Sequence, residues 1–159
     1  MLIEVKIGAL IMDPNTNTPI VVLKGTDSET ILPIWVGAFE ANAIALEIEK
    51  VAPQRPMTHD LLRNLIVASD LKASRVIITD LLENTFYAVI ELSRQDSEQI
   101  LSLDARPSDA IALALRLDCP IYVKQNVLDA SAATTTAPEV LTEKEEANQN
   151  TEEWPDFIG

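Results

Sequence analysis

The stretch that most constrains the fold joins a cluster of polar side chains to an apolar segment. Residues 104–109 read Asp-Ala-Arg-Pro-Ser-Asp, and residues 110–115 read Ala-Ile-Ala-Leu-Ala-Leu. A helix that is apolar on nearly every side must be buried, because no face of it suits water. Pro107 suits the first helical turn, where its missing N–H costs nothing. The pattern predicts a buried helix with carboxylates, a guanidinium and a hydroxyl at its start.

These polar groups have two interpretations. Ser108 or Asp109 caps the helix by accepting backbone N–H groups, or the cluster forms a site held at a fixed helix start. Residues 55–60 repeat the pattern as Arg-Pro-Met-Thr-His-Asp before a second apolar segment. We expect Thr58 to be the N-cap there, with Asp60 in the first turn, where a negative charge suits the helix dipole.

Hydrophobic periodicity and turn-forming residues predict the element order βββ–αα–βββ–α–β. The helices are expected over residues 38–51, 58–69 and 107–117. Strands and helices do not alternate one by one in this order. It therefore predicts an α+β fold, with a mixed β-sheet packed by about three helices.

The chain contains an internal repeat. A shift of 69 residues aligns residues 31–48 with residues 100–117, and six of the 18 pairs are identical. The alignment places Glu40 on Asp109. It suggests duplication of a β-β-β-α unit, while alanine-rich helices also match easily by chance. A pseudo-two-fold axis would bring Glu40 close to Asp109.

Charge and cysteine content limit the cellular compartments and the binding partners to be expected for this protein. The 159 residues carry a formal net charge of −13, so the chain gains no long-range attraction to nucleic acid or to an anionic membrane. Cys119 is the only cysteine, which excludes an intrachain disulfide and favours a cytoplasmic location. No apolar run reaches the ~18 residues of a transmembrane helix, so no membrane partner is expected.

Composition also divides the chain. We expect a folded domain over residues 1–128 and an acidic, disordered tail over residues 129–159, which has too few large apolar residues to offset the entropy of ordering. Trp154 and Phe157 predict a docking motif over residues 152–159, directed at the chain's own domain or at a protein partner. Exposed strand edges predict a homodimer or a higher homo-oligomer.

Three segments together resemble the bifunctional nuclease domain family. They are residues 32–41, 55–62 and 104–114, and they occur in the family's order within residues 1–128. The helical UvrB/UvrC-type motif at the C-terminus of plant members is not visible, so the chain resembles a bacterial member. The resemblance implies a nuclease, a hydrolase that cleaves phosphodiester bonds of RNA, DNA or both.

Such hydrolysis commonly uses a hard divalent metal ion held by carboxylates, with cations on the phosphate. Under this hypothesis the ligands of Mg²⁺ or Mn²⁺ are Asp104, Asp109 and Glu40. The candidate phosphate-binding residues are Arg55, Arg106, Thr58 and Ser108. The candidate catalytic residues are His59, Asp60 and Asp109, with His59 as general acid or base and Asp60 orienting it or joining the metal.

An alternative hypothesis makes the same residues structural. Arg106 would pair with Glu40 or Asp60 in a buried network, Asp109 would only cap, and the protein would be a non-catalytic regulatory or interaction module, or would bind a small anionic ligand. The sequence contains no HExxH, EF-hand, CxxC or Walker motif. The two hypotheses differ in geometry, because a metal site needs carboxylates that converge on an open cleft, whereas a structural network has each carboxylate held by an arginine.

Overall fold

Seven strands form one mixed sheet in the computed structural model, which describes residues 1–134. The strands are β1 (Leu2–Met12), β2 (Pro19–Gly25), β3 (Ile31–Trp35), β4 (Leu71–Leu82), β5 (Thr85–Arg94), β6 (Ile100–Ala105) and β7 (Ile121–Lys124). Their order across the sheet is β3-β2-β1-β7-β4-β5-β6. Only β4 and β7 are parallel, and every other neighbouring pair is antiparallel. The predicted α+β fold with a mixed sheet is confirmed.

Local turn chemistry explains the two antiparallel meanders, β1-β2-β3 and β4-β5-β6. The turn between β4 and β5 consists of Glu83 and Asn84, whose φ angles of 51° and 62° are both left-handed. A two-residue turn of this type matches the right-handed twist of the strands that it joins. Pro33 lies in β3 at the edge of the sheet, where a missing N–H interrupts no ladder between interior strands.

Four helices accompany the sheet in the described part of the chain. They are α1 (Ala38–Ile48), α2 (Thr58–Ala68), α3 (Pro107–Leu117) and α4 (Gln125–Thr134). As predicted from its composition, α3 is buried from Ala110 to Ala114. It contacts both α1 and α2 and packs against β4 and β5. Helix α3 thereby lies against two other helices and the sheet.

Helix α4 was not predicted, because Val127 and Leu128 are its only large apolar residues and they do not form a repeating pattern. Val127 is fully buried, and α4 packs against β4 and β7. The helix continues beyond residue 128, where the sequence predicted the folded domain to end. The rest of the predicted tail, including Trp154 and Phe157, lies outside the described residues.

The secondary structure follows the internal repeat. Helices α1 and α3 start at Ala38 and Pro107 and end at Ile48 and Leu117, so both ends differ by the 69-residue shift. Strands β3 and β6 precede them in equivalent positions and form the two edges of the sheet. Gene duplication is not confirmed by this correspondence.

Residues 1–134 include no helix that is both long and apolar enough to cross a membrane.

Candidate active-site groove

The two Arg-Pro segments end in helix starts, as the sequence predicted, but the capping residues differ. The N-cap of α3 is Arg106, with Pro107 in the first turn, and the N-cap of α2 is Met57. The predicted N-cap role of Thr58 is therefore wrong. The side chain of Asp109 bonds the side chains of His59 and Arg106 instead of capping α3.

Arg106, Asp109, Glu40 and His59 form a continuous bonded cluster across three helix starts. Arg106 Nε donates to Asp109 Oδ2 at 2.8 Å, and Arg106 Nη2 donates to Glu40 Oε1 at 2.7 Å. His59 Nε2 lies 2.9 Å from Asp109 Oδ1. The predicted approach of Glu40 to Asp109 therefore occurs through their shared arginine. A Cβ at Gly37 would overlap Glu40 Oε2, so the glycine before α1 leaves room for this carboxylate.

The cluster fixes the charge of Asp109. Burial alone would raise the pKa of Asp109, but hydrogen bonds from His59 and Arg106 outweigh it and hold the pKa below its ordinary value of 3.8. The same contacts, from Asp109 first and Glu40 second, raise the pKa of Arg106. At neutral pH Asp109 is a carboxylate, so His59 Nε2 donates its proton to it. In the tautomer that donates from Nε2, Nδ1 is the basic nitrogen.

The carboxylate of Asp60, predicted to orient His59 or to join a metal, is hydrogen-bonded to Arg116 and Met57 and not to His59. Its Oδ1 accepts from Arg116 Nε at 2.8 Å, and its Oδ2 accepts the backbone N–H of Met57 at 3.0 Å. Burial acts to raise the pKa of Asp60, but these hydrogen bonds and the charge of Arg116 leave it lowered. Asp109 takes the role predicted for Asp60.

Arg116 is the structural residue that sequence reasoning missed. Its side chain is only 5% exposed, and it also donates to the carbonyl oxygens of Ala43 and Ala112, both at 2.9 Å. It ties α3 to both α1 and α2. The signal was present in the sequence, because Arg116 is the only basic residue within the apolar helix that begins at Pro107.

The cluster borders a mostly apolar groove of about 790 Å³ between α1, α2, α3 and β6. The polar side chains that line it are Glu40, Asn42, Thr58, His59, Asp104, Arg106, Asp109 and Arg116. The larger apolar ones are Phe39, Leu46, Met57, Leu62, Leu65, Ile66, Ile90, Leu103 and Leu113. Most predicted site residues therefore share one concave surface.

Two predicted phosphate-binding residues are placed elsewhere. Ser108 is buried, Arg55 is exposed, and neither side chain lines the groove. Thr58 and Arg106 do line it, and the side chain of Arg106 is 67% exposed. Arg106 is thus the cation best placed to meet an anion in the groove.

The predicted metal ligands do not form a ready coordination site. Glu40, Asp104 and Asp109 all line the groove, but Glu40 and Asp109 are engaged by Arg106 and His59. Within residues 1–134, no group of three or more His, Cys, Asp or Glu side chains is arranged to hold a metal ion. In this arrangement the three carboxylates do not fit Mg²⁺ or Mn²⁺. Arg106 would first have to release Glu40 and Asp109.

Comparison with known proteins connects this groove to a family. The sequence model described as "Bifunctional nuclease domain" matches residues 21–136, which include the whole of α1, α2 and α3. An uncharacterized protein of Mycobacterium tuberculosis is 43% identical over 125 residues, which are 79% of this chain and 73% of that protein.

Plant proteins are similar at lower identity. Bifunctional nuclease 1 of Oryza sativa subsp. indica is 28% identical over 109 residues, which are 67% of this chain and 33% of that protein. Bifunctional nuclease 1 of Arabidopsis thaliana is 26% identical over 130 residues, which are 76% of this chain and 40% of that protein. This chain thus spans less than half of each plant protein. Residues 21–136, which the family model matches, include both Arg-Pro helix starts and the groove, and the chain belongs to the bifunctional nuclease domain family.

Proposed function

We propose that this protein is a nuclease that hydrolyses phosphodiester bonds of RNA, DNA or both in the groove between α1, α2, α3 and β6. The single observation that carries the proposal is the His59–Asp109 pair, joined at 2.9 Å on a concave surface that also presents Arg106. A base, a group that orients it and an anion-binding cation are the parts that phosphoryl chemistry uses. Membership of the bifunctional nuclease domain family supports the same reaction class.

His59 is assigned as the general base or acid. Asp109 fixes the imidazole tautomer through Nε2, so that Nδ1 is left to accept a proton from the attacking water or hydroxyl. A pre-oriented base of this kind contributes about 10²–10⁴-fold to a rate. Asp109 is a positioning residue in this scheme, because it acts through His59.

Arg106 is assigned to the phosphate. Its Nε and Nη2 already hold Asp109 and Glu40, and the exposed guanidinium has further N–H groups for an anionic oxygen.

Dependence on Mg²⁺ or Mn²⁺ is a separate part of the proposal, because the groove carboxylates do not fit the ion while Arg106 holds them. Assays with chelator and with added Mg²⁺ or Mn²⁺ test this part independently of the roles of His59 and Arg106. Nucleic acid as the partner follows from the proposed reaction and stays a prediction with it. The cytoplasmic location rests on the cysteine content and stays a separate prediction.

The test is cleavage of single-stranded RNA and DNA by wild type, His59→Ala and Asp109→Asn, each purified identically and shown to be folded by circular dichroism. We expect either substitution to lower kcat/KM by about 100-fold or more. Glu83→Gln, in the exposed turn between β4 and β5, is the matched control and should cleave at the wild-type rate. Equal activity in all four preparations would identify a contaminating nuclease and reject the proposal.

A second candidate function is a non-catalytic interaction module. The observation that favours it is that each of three carboxylates forms a salt bridge with an arginine. Arg106 pairs with Glu40 and Asp109, and Arg116 pairs with Asp60. These salt bridges give the carboxylates a structural role that needs no catalysis. The mostly apolar lining of the groove suits a protein segment as well as a nucleotide. Under this alternative, folded wild-type protein has no nuclease activity with any divalent ion.

A further inference from the structure

One wall of the groove exposes large apolar side chains. Leu62 and Leu65 of α2 and Leu103 of β6 all line it, and Leu65 and Leu103 are 60% and 49% exposed. Ile90, which is buried, lines the groove as well. Exposed apolar patches that lie together in a concavity mark binding sites for other apolar groups, because covering them removes their surface from water.

The chain itself contains a segment with complementary chemistry. Residues 152–158 read Glu-Glu-Trp-Pro-Asp-Phe-Ile, so two aromatic residues and an isoleucine are flanked by three acidic residues. The apolar side chains of this segment would meet the leucines. The three acids gain no net attraction from the groove lining, where Glu40, Asp104 and Asp109 face Arg106 and Arg116, so the apolar contact is what favours docking.

We propose that residues 152–158 dock in this groove of their own chain, with Trp154 and Phe157 against Leu62, Leu65 and Leu103. The docking requires no catalytic activity and stands apart from the nuclease proposal.

The connecting chain is long enough for docking within one molecule. Nineteen residues separate Thr134, the end of α4, from Trp154, and a chain of that length spans up to about 60 Å. A domain of this size has a radius of gyration of about 14 Å and is therefore about 36 Å across, so every point of its surface is within reach. A tether also gives its end a high effective concentration, about millimolar when the connection is short. This concentration favours the chain's own segment over the segment of a second copy.

Docking would have one consequence that rests on the proposed function. His59 and Asp109 line the same groove, so a docked segment would exclude substrate from them. The segment would then act as a competitive, intramolecular inhibitor.

Disulfide trapping in the full chain tests the docking. Leu65→Cys is combined with Phe157→Cys in a Cys119→Ser background, and the protein is oxidised mildly at low concentration. The matched control replaces Leu65→Cys with Ile31→Cys, which is similarly exposed but lies on β3 at the opposite edge of the sheet. We expect the groove pair to form a bond within one chain about tenfold faster than the control pair.

Non-reducing gels and mass spectrometry separate the outcomes. A bond within one chain, faster than in the control, supports the proposal. A bond between chains would show that a second copy supplies the segment, and equal rates for both pairs would show that nothing draws it to the groove. Either of these two results overturns the proposal.

Hydrogen exchange checks the same contact without new cysteines. In the full chain, Trp154→Ala with Phe157→Ala should raise exchange in peptides from α2 and β6 by about threefold or more, because these elements lose their cover. Val140→Ala with Leu141→Ala removes apolar side chains elsewhere in the same tail and should leave that exchange unchanged. Unchanged exchange in both variants would contradict the proposal.

Discussion

Asp109 is the residue on which the geometry of the groove depends, because its two carboxylate oxygens have different partners. One oxygen orients His59 and the other holds Arg106. Both contacts favour the charged carboxylate over the neutral acid. The consequence is a measurable link between the protonation of this one side chain and the stability of the fold.

The first prediction concerns the pH dependence of that link. The pKa of Asp109 is lower in the folded protein than its ordinary value of 3.8, so the carboxylate stabilises the fold above that value. The contribution is lost as the pH falls through the still lower folded pKa. We expect Asp109→Asn to reduce the free energy of unfolding by about 1 kcal/mol at pH 7 and to have little effect near pH 2.

Urea denaturation of both proteins between pH 7 and pH 2 measures this difference. Glu98→Gln, an exposed substitution in the segment between β5 and β6, is the control and should follow the wild-type curve. A difference between wild type and Asp109→Asn that is the same at both pH values would show that the carboxylate is not stabilised by its partners.

Sequence reasoning identified the right residue types at this scale but not all of their pairings. Glu40 was one of two partners expected for Arg106, with Asp60 as the other, in a buried network; Arg106 pairs with Glu40, but its side chain is exposed. The His59–Asp109 pair was not anticipated, since Asp60 is next to His59 in the chain and was the simpler partner. Which carboxylate reaches the imidazole depends on how α2 packs against α3, and local sequence does not specify that packing.

At the scale of elements, Arg116 fixes the three helices that bring the site together. Its buried guanidinium bonds Asp60 on α2 and the carbonyl oxygens of Ala43 on α1 and Ala112 on α3. A buried charge is tolerated only when such partners surround it. The angle of α2, and with it the position of His59, therefore depends on this arginine.

The second prediction follows from that dependence. Asp60→Asn leaves the buried guanidinium without its counter-charge, and we expect it to lower the free energy of unfolding by about 3 kcal/mol. Glu91→Gln is the matched control, since it removes the carboxylate from the more exposed Arg75–Glu91 pair and should cost less than about 1 kcal/mol. Denaturant midpoints measure both effects, and equal losses in the two variants would contradict the assigned role of Arg116.

The elements themselves were predictable where the sequence is strongly patterned. All seven strands and the first three helices were predicted, because alternation, turn residues and the apolar composition of α3 are local signals. Helix α4 was not predicted, since its helical state depends on Val127 entering a core formed by distant strands. Burial of this kind is decided by the tertiary structure.

At the scale of the whole molecule, the sheet ends in two edges, β3 and β6. Strand β6 pairs only with β5 among the described strands, and five of its six residues are exposed. An unpaired, largely apolar strand edge promotes pairing with another chain. The predicted homo-oligomer thus has a specific candidate interface in β6.

The third prediction is a homodimer through β6, with a mass of about twice the chain's 17.5 kDa by light scattering. Ile100→Lys places a charge in this exposed strand and should yield the monomer. Leu82→Lys, an equally exposed change at the end of β4, should leave the dimer intact. A single monomer mass for wild type at every concentration would contradict the prediction.

The most direct test of the central claim, that His59 performs acid–base chemistry on phosphodiesters, is chemical rescue. Cleavage of single-stranded RNA is measured for wild type and His59→Gly with and without added imidazole. We predict that the substitution lowers kcat/KM by about 100-fold or more and that imidazole restores part of it in His59→Gly, while the wild type is unaffected. Cleavage by folded His59→Gly at the wild-type rate, without imidazole, would contradict the account.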